Sequence, residues 1–298
     1  MKYISAKTIL QRANHGNEWF GIDFNMNLYK GCPHGCIYCD SRSNCYNIEN
    51  FDEVRIKKDV IEILNAELKS KRINGVIGIG SMSDTYNPFE KDYEITKKAL
   101  GLIDYFEYGI SLETKSDLII RDIDIFKSIN KKAPLILKMT ITTYDDKLSK
   151  IIEPNVSVSS KRFEAIKKLS DEGLFVGVLL TPIIPFITDT EDNIKNIIKL
   201  AHDSGAKFIF SMGAVTLREN QREYFYQKLD KYFPKLKDIY IKTYGNNYIC
   251  KSLNKNLGKI FQEECEKYNI LYKMEDIISA YKDKGSIIEQ QTFFNNLK

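Results

Sequence analysis

Three cysteines, Cys32, Cys36 and Cys39, lie within a stretch of eight residues in a segment that reads YKGCPHGCIYC. Pro33 and Gly35 favour tight turns, so the three sulfur atoms are expected to point towards one centre. Cysteine thiolates are ligands for soft metals, and iron–sulfur clusters normally take four of them. A motif of three cysteines therefore predicts a cluster with one iron left open for chemistry.

Two other interpretations of these cysteines remain open. A structural zinc site could use them with Cys45 or His34, and a ferredoxin-like electron carrier could use Cys45 as a fourth ligand. Structural zinc ligands usually come as two paired motifs, and a ferredoxin would be much smaller than 298 residues. Cys45, six residues after Cys39, supports the alternative of a non-catalytic iron–sulfur or zinc protein with a closed four-cysteine site. His34 is interpreted as a loop residue.

The composition indicates a globular protein, with 43% hydrophobic and 28% charged residues. No apolar run approaches the roughly 18 residues that span a bilayer, and the amino terminus is polar, so we expect a soluble, cytoplasmic protein without a membrane partner. Cys250 and Cys265 lie far from the other cysteines and are interpreted as buried structural residues. The net charge of +4 is too small to predict a nucleic-acid partner and does not exclude one.

Short β-branched runs alternate with longer amphipathic segments, a pattern typical of a parallel sheet with crossover helices. The predicted strands are Gly75–Gly80, Tyr108–Thr114, Leu135–Thr142, Leu174–Thr181 and Lys207–Met212, with an earlier one in Phe20–Leu28. The predicted helices between them are Val60–Leu68, Tyr93–Ile103, Ile123–Ile129, Phe163–Leu169 and Ile194–Ala201. Six such units form an open doubly wound sheet or a partial barrel, and either places its site at the carboxyl ends of the strands.

The alternating pattern weakens beyond about residue 215. Helical periodicity continues near Asn220–Tyr232 and Leu257–Tyr268, and a polar tail ends in QQTFFNNLK. We therefore predict a barrel domain over residues 1–215, with its cysteine loop at 32–39, and a C-terminal helical extension over 216–298 that packs on the barrel.

The Cx3Cx2C spacing, with Tyr38 before the last cysteine and early in a six-unit βα chain, resembles the radical S-adenosylmethionine (SAM) superfamily. The resemblance implies an α/β fold, a partial (β/α)6 TIM-like barrel with a C-terminal helical extension. It also implies a [4Fe–4S] cluster on Cys32, Cys36 and Cys39, whose open iron binds the amino and carboxylate groups of SAM. Reductive cleavage of SAM would then give methionine and a 5′-deoxyadenosyl radical. An electron donor such as flavodoxin or ferredoxin would supply the electron.

Further segments resemble the spore photoproduct lyase-like branch of that superfamily. They are Asn27–Gly31, Gly80–Pro88, Thr114–Ser116, Arg121–Asp122, Glu153–Pro154 and Pro182–Pro185. In this branch the polar residues that follow the second, third and fourth strands contact SAM, together with the aromatic residue of the cysteine loop. The residues that correspond in this chain are Tyr38, Ser81, Ser83, Asp84, Lys115, Ser116, Thr140 and Thr142.

Individual roles follow from the same resemblance. Tyr38 should present its backbone and its ring to the adenine. Ser83 and nearby polar atoms should meet the SAM amino group, and Lys115 should reach the SAM carboxylate. A lysine in an otherwise apolar strand pattern is costly unless an anion pairs with it, which independently favours a ligand for Lys115. Thr140 and Thr142 have equal parity on their strand, so both could face the carboxylate or the ribose.

The chain departs from the lyase at two positions. The lyase is associated with a hydrogen-donating cysteine beside the serine that contacts SAM, whereas Met82 stands beside Ser83 here. A thioether has no S–H to donate, so photolesion repair would need Cys45 or Tyr86 instead; no catalytic residue is otherwise assigned. Asp40 replaces an aromatic residue that follows the motif in many relatives. The substrate therefore stays open among nucleic acid, peptide and small metabolite.

Overall fold

The computed structural model describes residues 2–14 and 18–283. The strands within these ranges are β1 (Lys2–Ile4), β2 (Leu10–Arg12), β3 (Phe24–Met26), β4 (Tyr29–Lys30), β5 (Arg55–Lys57), β6 (Val76–Ile79), β7 (Gly109–Thr114), β8 (Leu135–Thr140), β9 (Val176–Leu180), β10 (Phe208–Ser211), β11 (Ala214–Thr216) and β12 (Ile249–Lys251). The α-helices are α1 (Val60–Ser70), α2 (Glu90–Tyr93), α3 (Ile95–Tyr105), α4 (Ile123–Lys132), α5 (Asp146–Ile152), α6 (Ser159–Asp171), α7 (Glu191–Asp203), α8 (Gln221–Tyr232), α9 (Leu236–Tyr244), α10 (Leu257–Lys267) and α11 (Met274–Lys282).

The main sheet has the spatial order β10, β9, β8, β7, β6, β3, β2 among the described residues. All neighbours from β10 to β3 run parallel. These six strands are the predicted ones, and each is shorter than expected, β7 by a single residue. The sequence does not predict β2, which pairs antiparallel with β3 at the edge and places Leu10 opposite Met26.

Both faces of this sheet are covered. Along β8, Leu135, Leu137 and Met139 belong to the large apolar cluster that includes residues of the surrounding helices. Ile136 and Lys138, at the alternate positions, face the interior. Strands covered on both faces are typical of parallel sheets with helices outside. The fold is therefore α/β, a partial (β/α)6 TIM-like barrel with a C-terminal helical extension, and the fold prediction is confirmed.

Aromatic side chains fill the interior at the amino-terminal ends of the strands. Phe175 and Phe208 stack with ring centroids 5.5 Å apart, and Phe20 lies 6.1 Å from Phe208. Tyr281 of α11 donates a hydrogen bond of 2.6 Å to the carbonyl of Phe20. The interior is closed at this end, so the carboxyl end of the barrel is the one that can receive a ligand.

The segment after β10 packs beside the cysteine loop. Ile37 and Tyr38 share a buried apolar cluster with Phe225 of α8 and Tyr240 of α9. α10 packs on α7, and both predicted C-terminal helices are confirmed as α8 and α10. The division at residue 215 stays a prediction, and residues 284–298, which include the predicted polar tail, lie outside the described residues.

Several elements were not expected from the sequence. They are the short strands β1, β4, β5, β11 and β12 and the helices α2, α5, α9 and α11. The strands are of two or three residues, too short for an alternating pattern to be visible. In the described part of the chain, every helix falls short of the length or apolar character that crossing a membrane requires.

Candidate active site

The cysteine loop is anchored by backbone hydrogen bonds from two directions. The N–H of Cys32 donates to the carbonyl of Phe51 (2.8 Å), and the N–H of Ile37 donates to the carbonyl of Ile152 (2.9 Å). Gly31 precedes the loop with φ +83°, and a Cβ there would lie 2.4 Å from the carbonyl oxygen of Glu53. Only glycine fits this left-handed position, so the entry to the loop is fixed by the sequence.

Cys32 and Cys36 of the loop are buried, and Cys39 is half-buried. Burial, with Asp84 and Cys39 nearby, raises the pKa of Cys32 to about 12. Burial likewise raises the pKa of Cys36 and Cys39. Metal ligation requires thiolates, so binding of a metal centre by these side chains must release protons.

The cysteines open onto a cleft at the carboxyl ends of β6, β7 and β8. Six of the eight predicted SAM contacts also line this cleft: Tyr38, Ser81, Ser83, Asp84, Lys115 and Thr140. The donor set fits an iron–sulfur cluster with a polar ligand, since soft thiols, hydroxyls and a cation face one space. The structure thus brings together residues that are up to about a hundred positions apart in the sequence.

Lys115 places a cation in the cleft. It lies one residue beyond the end of β7, not within the strand as the sequence pattern suggested. Its ammonium makes no hydrogen bond or ion pair with any described residue. Burial opposes its charge, but the nearby carboxylates of Glu153 and Asp84, together with the thiol of Cys36, outweigh burial and raise the pKa of Lys115. Lys115 is therefore charged and available to an anionic ligand.

Ser83 and Asp84 follow β6 and are buried. The Ser83 hydroxyl donates to the carbonyl of Gly31, which leaves its oxygen free to accept a hydrogen bond. Asp84 accepts hydrogen bonds from the Thr114 hydroxyl (2.6 Å) and from the N–H groups of Tyr86 (2.9 Å) and Lys115 (2.8 Å). Asp84 consequently ties the loop after β6 to the end of β7.

Ser116 and Thr142 lie outside the cleft lining. Ser116 accepts a hydrogen bond from the N–H of Leu118 at the start of a 3₁₀ turn. Thr142 is fully buried, and its hydroxyl donates to Glu153 over 3.5 Å. Of the two threonines with equal parity, Thr140 alone reaches the cleft.

The two candidate hydrogen donors also lie outside the cleft lining. Tyr86 is buried, and its hydroxyl donates to Asp122 over 2.9 Å. Cys45 is exposed, and its sulfur lies 3.3 Å from a guanidinium nitrogen of Arg218. His34 is a loop residue as expected; it is buried, with Nδ1 3.6 Å from the Asp84 carboxylate. Cys250 and Cys265 are buried, as predicted.

A buried ion pair between Glu153 and Arg162 supports the cysteine loop through Tyr38. Arg162 lies 2.6 Å from Glu153, and both side chains are fully buried. The Tyr38 hydroxyl donates to the same Glu153 carboxylate. Arg162 also donates to the carbonyl of Thr140 (2.8 Å), which belongs to the cleft. Glu153-Pro154 was noticed in the sequence, but its pairing with Arg162 was not foreseen.

The fold and the site define a βα-barrel protein with a three-cysteine loop that opens on a polar cleft at the strand ends. The sequence profile of the Radical SAM superfamily matches residues 26–201, more than half of the chain. The chain belongs to this superfamily, and membership implies an iron–sulfur cluster and SAM as cofactors. Membership in this superfamily identifies the chain as an enzyme.

Similar proteins extend this finding. The chain is 36% identical over 173 residues to an uncharacterised protein of Methanocaldococcus jannaschii. The match covers 57% of this chain and 64% of that protein, slightly less than two thirds of its length. It is 26% identical over 280 residues to an uncharacterised protein of Acidianus two-tailed virus, covering 89% and 86%. Among solved structures, spore photoproduct lyase complexed with dinucleoside spore photoproduct has a TM-score of 0.65 at 15% identity, covering 91% of this chain and 81% of that one. This likeness shows a shared fold, and the branch resemblance is confirmed at that level.

Proposed function

We propose that this chain holds a [4Fe–4S] cluster on Cys32, Cys36 and Cys39 and cleaves SAM reductively. The observation that carries the proposal is the single cleft lined by the three cysteines and by the unpaired ammonium of Lys115. A cluster held by three cysteines leaves one iron open, and a cation beside it can bind the carboxylate of a ligand at that iron.

Different side chains of the cleft bind different groups of the SAM molecule. Lys115 pairs with its carboxylate, and the oxygen of Ser83 accepts a hydrogen bond from its amino group. Tyr38 faces the adenine, and Thr140 donates its hydroxyl to the ribose or the carboxylate. When bound, the cluster supplies the electron that splits SAM into methionine and a 5′-deoxyadenosyl radical.

The cleft does not support the hydrogen-donor arrangement expected of photolesion repair. Met82 lines the cleft beside Ser83, and its thioether carries no transferable hydrogen on sulfur. Tyr86 is engaged with Asp122, and Cys45 is exposed beside Arg218. The substrate class is accordingly proposed as nucleic acid, peptide or small metabolite, with flavodoxin or ferredoxin as electron donor.

The alternative, a non-catalytic protein with a closed four-cysteine site, has less support. Cys45 is exposed and lies outside the lining of the cleft. In residues 2–14 and 18–283, no three His, Cys, Asp or Glu side chains are close enough to hold one metal ion. Cys45 therefore stands apart from the three cysteines that line the cleft.

The two functions differ in which cysteine variants lose the metal centre. After anaerobic reconstitution with iron and sulfide, iron content and SAM binding are measured in wild type, Cys36→Ala and Cys45→Ala. We expect Cys45→Ala to retain both and Cys36→Ala to lose both, since Cys45 lies outside the cleft. Loss of the metal centre in Cys45→Ala would establish the closed site instead.

A further inference from the structure

The positive charge of the chain is concentrated in one segment of the C-terminal extension. Residues 216–259 contain 10 lysines and arginines but only 4 acids. The rest of the chain contains 34 basic and 36 acidic residues. The small net charge of the whole chain therefore conceals a basic segment on a slightly acidic remainder, and such an asymmetry indicates an acidic partner.

Helix α8 presents part of this charge on one face. Tyr224, Lys228 and Lys231 follow one another at spacings of four and three residues, so they lie on the same side of the helix, and we call them the lysine stripe. Neither lysine forms an ion pair with a described residue. The two acids of α8 lie on another side of the helix: Glu223 is exposed, and Asp230 pairs with a lysine of α9 over 2.7 Å. The stripe is therefore a free positive surface.

The lysine stripe begins against the cysteine loop. The hydroxyl of Tyr224 donates a hydrogen bond of 3.2 Å to the carbonyl of Gly35, the residue before Cys36. One turn earlier on the helix, the side-chain amide of Gln221 donates to the carbonyl of Tyr38 over 2.9 Å. A half-buried ring and one hydrogen bond thus connect this surface with the backbone of the loop.

The ring of Tyr224 is held in place by cations. The guanidinium carbon of Arg42 lies 3.9 Å from the ring centre, and the ammonium of Lys228 lies 4.9 Å from it. Arg42 is buried and pairs with Asp52, so its own position is fixed. Beside the ring is a concave surface that Arg42, Tyr224 and Phe51 line together with four asparagines. A partner can therefore approach the loop closely at this point.

The extension takes no part in the cleft. Among the described residues, none beyond Thr140 lines the cleft, and Phe51 alone lines both the cleft and the concave surface beside Tyr224. A partner bound to the lysine stripe would therefore reach the cysteine loop without entering the space that receives SAM and substrate.

We propose that the lysine stripe of α8 is the docking site of the electron donor, and that this donor is an acidic redox protein. The inference rests on the proposed function, in which one electron must reach the cluster for each SAM molecule that is cleaved. The reduced donor loses that electron and the cluster gains it, so the step needs no other reactant. Complementary charges accelerate such encounters and set their orientation.

A nucleic acid is the other acidic macromolecule that such a surface could attract. The position of the stripe favours the redox protein, because the stripe adjoins the loop that holds the cluster and is separate from the cleft in which a substrate reacts.

Reduced flavodoxin, an acidic electron carrier, is the probe. It is mixed without oxygen with reconstituted protein and SAM, and its oxidation is followed by absorbance in a stopped-flow instrument. Replacement of both Lys228 and Lys231 by Gln should lower the second-order rate constant about threefold to tenfold, since electrostatic steering contributes a factor of about 10 to 1000 to association. Added salt should slow wild type and narrow this difference.

A second double variant, Lys69→Gln with Lys207→Gln, is the matched control. It removes the same charge, but Lys69 lies in the last turn of α1 and Lys207 directly before β10, both at the amino-terminal end of the barrel. Its rate constant should equal that of wild type.

Crosslinking locates the contact independently of the reaction. A carbodiimide joins lysine ammonium groups to carboxylates that touch them, and the joined peptides are identified by mass spectrometry. We expect oxidised flavodoxin to be linked through Lys228 or Lys231. Crosslinks confined to other lysines would overturn the docking site.

The kinetic results decide in the same way. Equal rate constants in the two double variants, a wild-type rate that salt does not change, or a cluster that dithionite reduces and flavodoxin does not, would each overturn the inference. So would a DNA oligonucleotide that binds through Lys228 and Lys231 while the rate with flavodoxin ignores them. These outcomes leave the proposed function intact where dithionite reduces the cluster. Protein that is crosslinked through the stripe but assembles no cluster refutes the proposed function alone.

Discussion

At the scale of single residues, Lys115 is the side chain whose charge is left unpaired in the cleft. The backbone N–H of Lys115 donates a hydrogen bond to Asp84, which holds this residue close to β7. The ammonium group of Lys115 has no hydrogen-bond or ion-pair partner among the described residues. Lys115 is half-buried and lines the cleft, so an anionic ligand bound there would pair with its charge.

Replacement of Lys115 by Gln should therefore weaken SAM binding by about ten- to a hundredfold, because a hydrogen bond to a charged group contributes about 1.5–3 kcal/mol. Equilibrium dialysis with labelled SAM measures the change, and iron content should remain that of wild type. Lys127→Gln, on an exposed pair with Glu172, is the matched control and should bind SAM normally. Equal affinity in Lys115→Gln and Lys127→Gln would remove Lys115 from the SAM site.

Glu153 makes several of the contacts that support the cysteine loop. It accepts the Tyr38 hydroxyl, lies 2.6 Å from Arg162 and receives a longer contact from Thr142. Glu153→Ala should lower the free energy of unfolding by about 3–5 kcal/mol, since the change leaves Arg162 charged and unpaired in the core. Thermal or urea unfolding of the apoprotein measures this loss.

The exposed pair between Lys127 and Glu172 provides the comparison for Glu153. Glu172→Ala should hardly change the unfolding curve, because solvent screens a surface pair. If Glu153→Ala unfolded as wild type does, the ion pair with Arg162 would not support the loop.

The sequence predicted the residues whose chemistry is local and missed those whose partners are distant. Three cysteines in a short loop can be recognised without a fold. The pairs Glu153–Arg162 and Glu113–Lys138 could not be assigned, because each joins separate elements. Lys138 could nevertheless have been noticed, because it lies within the apolar strand LILKMTIT. A lysine in such a strand is costly unless an anion pairs with it.

At the scale of elements, the end of β6 determines where Ser81 and Ser83 stand. Gly80 has φ +104°, and a Cβ there would lie 2.1 Å from the carbonyl oxygen of Glu113. Gly80→Ala must therefore separate β6 from β7 or bend the loop, and should cost about 2–4 kcal/mol of stability together with a loss of SAM affinity.

Gly101→Ala is the contrasting variant for this element. Gly101 lies within α3, and a Cβ there would meet nothing within 4 Å. Alanine in a helix interior is more stable than glycine by about 0.5–1 kcal/mol, so this variant should be slightly more stable than wild type. Unfolding curves and SAM affinity are measured for both variants. Equal stability and equal SAM affinity of Gly80→Ala and Gly101→Ala would contradict the close approach of β6 and β7.

The elements of the barrel were visible in the sequence because they are long and regular. β6 to β10 and the helices between them bury continuous apolar faces. In the sequence these faces are visible as runs of apolar residues in the strands and as apolar residues at helical spacing in the helices. The pair β11–β12 joins segments more than thirty residues apart, and each strand has only three residues. Such pairing depends on tertiary packing, so no local pattern could predict it.

At the scale of the whole molecule, the barrel interior is apolar at one end and polar at the other. Phe20, Phe175 and Phe208 close the amino-terminal end, and the ion pair between Lys138 and Glu113 lies between them and the cleft. The cysteine loop covers the carboxyl end. A ligand of the cleft therefore enters from the side of the cysteine loop.

The central claim is that the three-cysteine loop supports reductive cleavage of SAM, and formation of 5′-deoxyadenosine tests it most directly. Protein reconstituted without oxygen is mixed with dithionite and SAM, and the product is quantified by chromatography. We predict 5′-deoxyadenosine from wild type and Cys45→Ala, and none above background from Cys36→Ala. Equal amounts of 5′-deoxyadenosine from Cys36→Ala and wild type would contradict the assignment of the cluster to this loop.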